Sequence, residues 1–389
     1  MSTLDDIKII DADSHVVEPA DLWTARMSRS RWGDLVPEVR WDDDSGQEAW
    51  FIGDTFIYGA ATIAMAGWHE YAPDSPRRLA DVDPRLYDPV IRASVMDDYG
   101  IDRQVLYPNI GMFATAGYLD VSVDPEFSTE CVRAYNDWLV EWCAEAPGRY
   151  IPVMSLPFWD LEASEREVAR CVEMGHRGVI MSNSPENFDL PTLDAPHWDR
   201  LWSVVSDAGI PVNFHIGSGK APSTGSEHSG RHANFAWMST LIFQGNARAL
   251  CALIFGGVCH RFPQLRFVSV ESGIGWLPYT LETMDWQWQN SGVGLEHPDY
   301  ELLPSEYFRR QIYGCFWFES SSALSAIELL GPDNILYETD YPHPTSMSPG
   351  PASIAVRPCD YVEATLGALP ETTLRKILHD NAAQLYGAS

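Results

Sequence analysis

Short apolar segments alternate with amphipathic helical segments along most of the chain. Eight apolar segments are rich in β-branched and aromatic residues, and most are too continuous to leave one face in water. Such segments are typical of strands that are covered on both faces, as in a parallel sheet. They comprise Ile7–Ala12, Arg103–Tyr107, Tyr150–Ser155, Gly178–Ser182, Ile210–His215, Leu265–Val270, Ile312–Trp317 and Asn334–Glu338.

The segments between these strands carry apolar residues at helical spacing. Two of them end at Gly175 and Gly209, the position where a left-handed glycine terminates a helix. The predicted helices are Pro125–Ala146, Leu161–Met174, Ala195–Ala208, Trp237–Phe262, Ile274–Gln289, Ser321–Leu330 and Glu371–Tyr386. Strands that alternate with helices in this number predict an α/β protein, a distorted (β/α)₈ TIM barrel. An open doubly wound sheet is the alternative, but no GxGxxG turn opens a helix.

Two segments do not fit the alternation, and we expect both to be insertions in one barrel domain that spans residues 1–389. Residues 18–97 follow strand 1 and contain a pattern typical of a small β-hairpin that turns at Asp44–Gly46. Residues 217–235 follow strand 5 and begin with a stretch rich in Gly, Ser and Pro. Long loops at the carboxyl ends of barrel strands are where such enzymes build lids.

Charge and composition exclude some function classes. The chain has 389 residues and a formal net charge of −29, which argues against binding to nucleic acid or to an anionic membrane. The N-terminus has no secretory pattern, and the longest apolar run, Ala249–Cys259, is short for a membrane span. The seven cysteines form no CxxC motif, so we expect reduced thiols in a cytoplasmic protein.

Polar side chains with metal-binding or proton-transfer chemistry stand where four of the predicted strands end. They are Asp13 and His15 on strand 1, His215 on strand 5, Glu271 on strand 6, and Asp340 and His343 on strand 8. Because side chains alternate along a strand, Asp13 and His15 point the same way and can share one ion. His215 and Asp340 would complete a site of two imidazoles and two carboxylates, which suits Zn²⁺, Mn²⁺ or Fe²⁺.

Each of these residues has a structural explanation when it is taken alone. His215 can be a core histidine bonded to the backbone, and Glu271 and Asp340 can be turn residues or helix caps. His343 can serve a turn before Pro344. Their joint placement at one end of a barrel is what favours a metal site.

Four motifs carry a resemblance to a known family. They are Ile10–Pro19 (IDADSHVVEP), Pro211–Ser218 (PVNFHIGS), Glu271–Trp276 (ESGIGW) and Thr339–His343 (TDYPH). In order and spacing these motifs resemble the amidohydrolase superfamily, in particular the branch of aminocarboxymuconate-semialdehyde decarboxylase and γ-resorcylate decarboxylase. The resemblance covers nearly the whole chain.

The resemblance implies one divalent metal ion, Zn²⁺ or Mn²⁺ and alternatively Fe²⁺, at the mouth of a barrel. The family's first ligand pair is HxH or ExH, and Asp13 and His15 stand at its place here; the later ligands fall on His215 and Asp340. The strand-6 position, a catalytic histidine in the decarboxylases, is Glu271 here. The resemblance also implies a homodimer.

Two reactions remain open for such a site. In a non-oxidative decarboxylation of a cyclic or aromatic acid, an acid group would protonate the ring carbon, and Glu271 and Asp340 are the proton carriers to expect. In a hydrolysis of a C–C, ester, lactone or amide bond, one of them would take a proton from a metal-activated water. A ligand-binding barrel without activity is a further alternative. A Schiff-base lyase is disfavoured because Lys8, Lys220 and Lys376 are badly placed.

Aromatic residues at strand ends and in the insertions suggest a ring-containing small molecule as substrate. Packing of strands against helices is the competing explanation for each ring. Trp68, Phe113 and Trp317 belong to this aromatic set, and His343 is a further catalytic candidate. The candidate substrate contacts are Glu18, His69, Tyr107, Asn183, Trp237, Trp276 and Tyr341.

Overall fold

The computed structural model describes residues 7–110, 124–219, 225–226 and 228–388; Phe113 and Lys220 therefore lie outside the described residues. Twelve strands occur in these residues. They are β1 (Ile9–His15), β2 (Glu38–Asp42), β3 (Gln47–Ile52), β4 (Thr55–Gly59), β5 (Ile101–Tyr107), β6 (Tyr150–Pro152), β7 (Met154–Ser155), β8 (Val179–Ile180), β9 (Val212–His215), β10 (Phe267–Val270), β11 (Ile312–Phe316) and β12 (Ile335–Tyr337).

Nine of these strands form a parallel barrel. Strands β1, β5 and β6 pair in that order, and β7 to β12 pair in sequence, while β6 and β7 are two parts of one barrel strand interrupted at Val153. The backbone joins the two ends of this array, because His15 N donates to Tyr341 O at 2.6 Å and Asp340 N donates to Asp13 O at 2.9 Å. The predicted TIM barrel is confirmed, with its eight strand positions in chain order.

Helices connect consecutive barrel strands, as predicted. The principal ones are Pro89–Tyr99, Pro125–Ala144, Leu161–Met174, Asp199–Ala208, Arg231–Leu241, Gln244–Phe255, Leu277–Asn290, Pro304–Gln311, Ser321–Leu330 and Glu371–Arg375, with Asn381–Leu385 near the C-terminus. Shorter helices are Arg29–Trp32, Pro84–Tyr87, Val258–Arg261, Val293–Glu296 and Pro358–Tyr361.

The single helix expected over 237–262 is wrong in detail. The structure divides residues 231–261 into three helices, and the last break falls at Gly256 and Gly257. Gly257 has a φ of +73°, a left-handed conformation that interrupts the helical ladder and that glycine adopts without a steric penalty.

A small antiparallel sheet lies in the segment that follows β1. Strands β2 and β3 form the predicted hairpin, and β4 adds a third strand on the other side of β3. The indole of Trp50 on β3 meets that of Trp23 edge to face at 4.8 Å, and both rings are buried. This contact attaches the small sheet to the segment that leaves β1.

Successive residues of the barrel strands serve two different apolar layers. On β1, Ile9 packs in the layer between strands and helices, whereas Ile10 packs inside the barrel with Val105, Val268 and Leu336. This alternation is what a period of two requires. The barrel interior is therefore a filled apolar core, so the polar groups that could bind a ligand are expected at the ends of the strands.

One helical stretch, Arg231–Phe255, passes a test of length and composition for a membrane span, with a hydropathy of 1.2 and 28% of its window buried. The sequence prediction of no such segment considered only the shorter run Ala249–Cys259. A single helix of this kind is weak support for a membrane location, since helices of globular proteins pass the same test.

Truncation of Phe267 tests this packing. The ring is fully buried on β10 and contacts Trp202 and Phe214 at centroid distances of 5.9 and 6.0 Å. We expect Phe267→Ala to lower the free energy of unfolding by about 3–5 kcal/mol, measured by urea denaturation. The control is Tyr279→Ala on an exposed helix face, with an expected change within about 0.5 kcal/mol. Equal effects of the two substitutions would contradict the packing described.

Candidate metal centre

The carboxyl ends of the barrel strands bring the predicted ligands together. Asp13 and His15 belong to β1 and His215 ends β9, while Glu271 follows β10 directly and Asp340 lies three residues beyond β12. Asp13, His15, His215 and Glu271 offer ligand atoms that all lie within 4.8 Å of one another. A second set within the same limit contains His15, Glu271, Asp340 and His343.

The two imidazoles face each other with the same nitrogen. The Nε2 atoms of His15 and His215 are 3.0 Å apart. Asp13 lies beside both, with Oδ1 at 3.5 Å from His15 Nε2 and Oδ2 at 3.4 Å from His215 Nε2. Neither oxygen of Asp13 accepts a hydrogen bond of good geometry from the described residues, although both are buried. These are atoms of the kind that coordinate a cation.

Backbone carbonyls orient both imidazoles. The Nδ1 atom of His15 lies 3.2 Å from Pro108 O, and Nδ1 of His215 lies 2.8 Å from Ile216 O. A neutral imidazole that donates from Nδ1 presents a lone pair at Nε2. This is the arrangement in which metal-binding histidines are held, with the second nitrogen bonded to a carbonyl or carboxylate. Both rings are therefore poised to accept a cation between them.

The buried carboxyl groups of the site outnumber the positively charged side chains that could balance them. Burial and the neighbouring carboxylates raise the pKa of Glu271 to about 8 and place the pKa values of Asp340 and Glu338 well above their ordinary range. Burial alone would lower the pKa of His215, but Asp13 and Glu271 raise it to about 9. A divalent cation would relieve this repulsion directly.

His343 extends the site on the side of Asp340. Its Nδ1 lies 2.8 Å from Asp340 Oδ1, and its Nε2 lies 2.7 Å from Asn109 Oδ1. The ring stacks on that of His15, with centroids 3.6 Å apart. Glu18 accepts from the backbone N–H of Asn109 at 2.9 Å, so it fixes the loop that contacts His343.

Glu271 and Asp340 both adopt a left-handed backbone conformation, with φ values of +52° and +59°. Residues other than glycine rarely adopt this backbone conformation, and they keep it where contacts with the surrounding structure hold the backbone in place. Glu319 supplies such contacts for the loop after Glu271, because its carboxylate accepts from Ile274 N and Gly275 N at 2.8 Å each. Two of the four non-glycine residues with positive φ in the described part of the chain are therefore predicted site residues.

Two aromatic candidates lie against the site or its loops. Tyr107 is buried beneath the imidazoles, 5.3 Å from the His215 ring, and donates to Asn213 at 3.0 Å. Trp276 donates to Ser272 O at 2.9 Å and packs on Phe243 beside the loop that carries Glu271.

The other predicted substrate contacts have partners elsewhere. Tyr341 covers Arg92 and donates to Arg85 O at 3.0 Å. Asn183 bonds Ser218 and Asn246. Trp237 is half exposed on the helix Arg231–Leu241, and His69 packs on Trp68 at 4.3 Å. Within the described residues, no ring contact or hydrogen bond joins the side chains of these four residues to the ligand cluster, although the backbone oxygen of Tyr341 accepts from His15 N at 2.6 Å.

Sequence reasoning missed the polar residues that support the ligands. Asp11 accepts from Ser14 Oγ at 2.6 Å and from Thr339 N at 2.8 Å, and burial raises its pKa to about 6. Asn109 holds His343, and Glu338 accepts from Glu271 N at 3.2 Å. Asn109 follows β5 by two residues, so the strand-end rule that found His215 would have found it as well.

Comparisons with known proteins agree with this architecture. The model of a family described as amidohydrolase matches residues 10–388. The chain is 25% identical over 320 residues to 2-amino-3-carboxymuconate-6-semialdehyde decarboxylase of Dictyostelium discoideum, with 79% of each chain covered. It is 26% identical over 302 residues to gamma-resorcylate decarboxylase of Polaromonas sp. strain JS666, with 76% of this chain and 86% of that protein covered.

Solved structures share the fold. An amidohydrolase from Mycobacterium avium subsp. paratuberculosis K-10 superimposes with a TM-score of 0.74 at 23% identity, over 98% of this chain and all of that one. A dihydroxybenzoic acid decarboxylase from Polaromonas sp. JS666, solved with bound manganese and 2-nitroresorcinol, has a TM-score of 0.62 at 20% identity over 98% and 97% of the chains.

The repulsion among the buried carboxylates of the site predicts how the stability of the metal-free protein depends on pH. Between about pH 7 and 8 the folded protein retains protons on groups such as Glu271 and His215, whose pKa values are raised to about 8 and about 9, whereas the unfolded chain has released most of them. The free energy of unfolding should therefore fall as pH rises, by about 1.4 kcal/mol per pH unit for each retained proton.

Urea denaturation in the presence of a chelator measures this slope. A saturating divalent ion should weaken it, because the bound cation favours the deprotonated carboxylates. Stability of the metal-free protein that increases over this pH range would contradict the electrostatic description.

Proposed function

The chain belongs to the amidohydrolase family, and from that membership we propose that it is a metal-dependent enzyme that decarboxylates a cyclic or aromatic carboxylic acid without oxidation. The observation that carries the metal requirement is the convergence of His15 Nε2, His215 Nε2 and both oxygens of Asp13 on one buried point. The relatives that support the reaction are named decarboxylases.

We propose Asp13, His15, His215 and Asp340 as the ligands of one divalent ion. Mn²⁺ is the first choice, since mixed carboxylate and imidazole ligands suit it and a decarboxylase of the same fold was solved with manganese. Zn²⁺ and Fe²⁺ are the alternatives. The ion would act as a Lewis acid that binds and polarises the substrate carboxylate and a neighbouring oxygen.

Glu271 is the proposed proton carrier. It lies at the strand-6 position, and its Oε2 is 3.4 Å from His215 Nε2, so it borders the ligand cluster. As the bond between the ring carbon and the carboxylate breaks, the electron pair stays on the ring carbon and CO₂ leaves. The ring carbon then takes a proton from Glu271. His343 and Asn109 hold Asp340 in its orientation throughout.

Tyr107 and Trp276 are the proposed aromatic contacts of a ring-containing substrate, and the remaining predicted contacts stay predictions. We further propose that the protein is a cytoplasmic homodimer and that residues 1–389 form one barrel domain with insertions at 18–97 and 217–235. The net charge of −29 supports the absence of nucleic-acid partners.

A second reaction uses the same atoms. Glu271 and Asp340 are both carboxylates, and a carboxylate can take a proton from a metal-bound water. The presence of Glu271 where the resembled decarboxylases have histidine favours this hydrolase as the alternative.

A CO₂ assay distinguishes the two reactions. The protein is stripped of metal, reloaded with Mn²⁺, and incubated separately with 2,6-dihydroxybenzoate, 5-carboxyvanillate and aryl ester or lactone probes. We expect CO₂ from at least one ring carboxylate, dependent on the added ion. Hydrolysis of the ester or lactone probes without CO₂ from any acid would establish the alternative and overturn the decarboxylase proposal.

Glu271→Gln tests the proton carrier. The amide keeps the shape of the side chain but carries no transferable proton, so we expect turnover to fall by about 10²–10⁴-fold while one ion stays bound. Glu282→Gln, at an exposed position on the helix Leu277–Asn290 that follows Glu271 in the chain, is the control for loss of one negative charge. Unchanged turnover in Glu271→Gln would remove the residue from the mechanism, and loss of the ion would make it a ligand instead.

A further inference from the structure

Arg92 is a fully buried cation on the helix Pro89–Tyr99. Its guanidinium donates to three oxygens, none of which belongs to a carboxylate: Gln104 Oε1 at 2.8 Å, His15 O at 2.5 Å and Tyr341 O at 3.4 Å. An arginine retains its charge in such surroundings, and burying it costs free energy. A buried charge that is kept at this cost and has no carboxylate partner among these hydrogen bonds calls for a specific role.

The two carbonyl oxygens lie on the two sides of the joint between the first and eighth barrel strands. His15 ends β1, and Tyr341 follows Asp340 directly. The same Tyr341 O accepts from His15 N at 2.6 Å. One guanidinium therefore binds the backbone of one proposed ligand and the residue next to another.

A second route from Arg92 crosses the same joint. Gln104, which accepts from Arg92, donates through Nε2 to Asp11 Oδ2 at 3.0 Å. Asp11 in turn accepts from Thr339 N at 2.8 Å and Thr339 Oγ1 at 2.5 Å. The polar chain thus passes from Arg92 through Gln104 on β5 to Asp11 on β1 and on to Thr339, the residue before Asp340.

The aromatic rings around Arg92 allow the space that its side chain fills to be distinguished from the hydrogen bonds that it donates. Its guanidinium carbon lies 4.8 Å from the Tyr341 ring centroid and 5.9 Å from that of Trp142. An apolar side chain of similar length can fill this space, but it leaves His15 O and Gln104 Oε1 without the donors that Arg92 supplies. Only the hydrogen bonds to the two carbonyls need a planar, multivalent donor.

We infer that Arg92 is a positioning residue, which fixes His15 relative to Asp340 so that their side chains converge on one ion. This inference rests on the proposed metal centre. The left-handed conformation of Asp340, with a φ of +59°, needs such external support. Residues that orient metal ligands typically change metal affinity by about 10–100-fold when they are replaced.

The test measures Mn²⁺ affinity, by competition with a chromophoric chelator, together with the thermal midpoint of the metal-free protein. Arg92→Met should weaken Mn²⁺ binding by about 10–100-fold, and Arg92→Lys by less, because lysine restores part of the donor set. Gln104→Leu, which cuts only the second route, should weaken binding by a smaller factor than Arg92→Met.

Arg149→Met is the matched control. Arg149 also donates to two strand carbonyls, Asp102 O at 2.8 Å and Ile101 O at 3.0 Å, but at the amino end of β5, opposite the site. We expect Arg149→Met to change the thermal midpoint and to leave Mn²⁺ affinity within about twofold of wild type.

The positioning role would be overturned if Arg92→Met and Gln104→Leu bound Mn²⁺ with the same affinity as Arg149→Met. This holds whatever the thermal midpoints of the three variants. If Arg92→Met does not fold, Arg92→Lys and Gln104→Leu decide the question by the same comparison. Absence of Mn²⁺ binding in the wild-type protein would instead contradict the proposed metal centre, so the two failures are distinct.

Discussion

The structure depends on how the first barrel strand meets the eighth. Two backbone hydrogen bonds, from Asp340 N to Asp13 O and from His15 N to Tyr341 O, complete the ring, and they do so at the residues that carry three of the four proposed ligands. A barrel needs this contact in order to close, since an open edge would leave backbone groups unpaired. The same hydrogen bonds therefore close the barrel and place the proposed ligands. Any shift in register at this joint would separate Asp13 and His15 from Asp340.

The same region concentrates charge that the folded protein stabilises poorly on its own. Asp11, Glu338 and Asp340 are fully buried there, with pKa values that burial and mutual repulsion raise. Hydrogen bonds satisfy Asp11 almost completely, whereas both oxygens of Asp13 face the imidazoles of His15 and His215. Asp11 therefore differs from Asp13: its hydrogen bonds stabilise the barrel, whereas we propose that Asp13 binds an ion. Buried carboxyl groups that repel one another reduce local stability, and this is what we expect of the proposed metal site, where ligands converge before an ion neutralises them.

Much of this organisation could be predicted from the sequence, because it follows from the pattern of apolar residues and from the residues that stand at strand ends. Continuous apolar runs located all eight barrel strands, and the strand-end rule located Asp13, His15, His215, Glu271 and Asp340. Supporting residues such as Arg92 were not found, since Arg92 acts through backbone carbonyls of His15 and Tyr341 that are distant in sequence and brought together only by the fold. For Trp237 and His69 the substrate contact stays a prediction, because an aromatic ring or imidazole in an insertion says little about the direction in which it points.

The most direct test of the central claim is the metal content of a single-site variant after reconstitution. The wild-type protein and His215→Ala are stripped with a chelator, incubated with excess Mn²⁺, passed through a desalting column and analysed for manganese. The control is His297→Ala, at the end of the helix Val293–Glu296, where the ring stacks on Tyr300. The account predicts one ion per chain in the wild-type and control proteins and far less than one in His215→Ala. Equal manganese in all three proteins, or none in any, would contradict it.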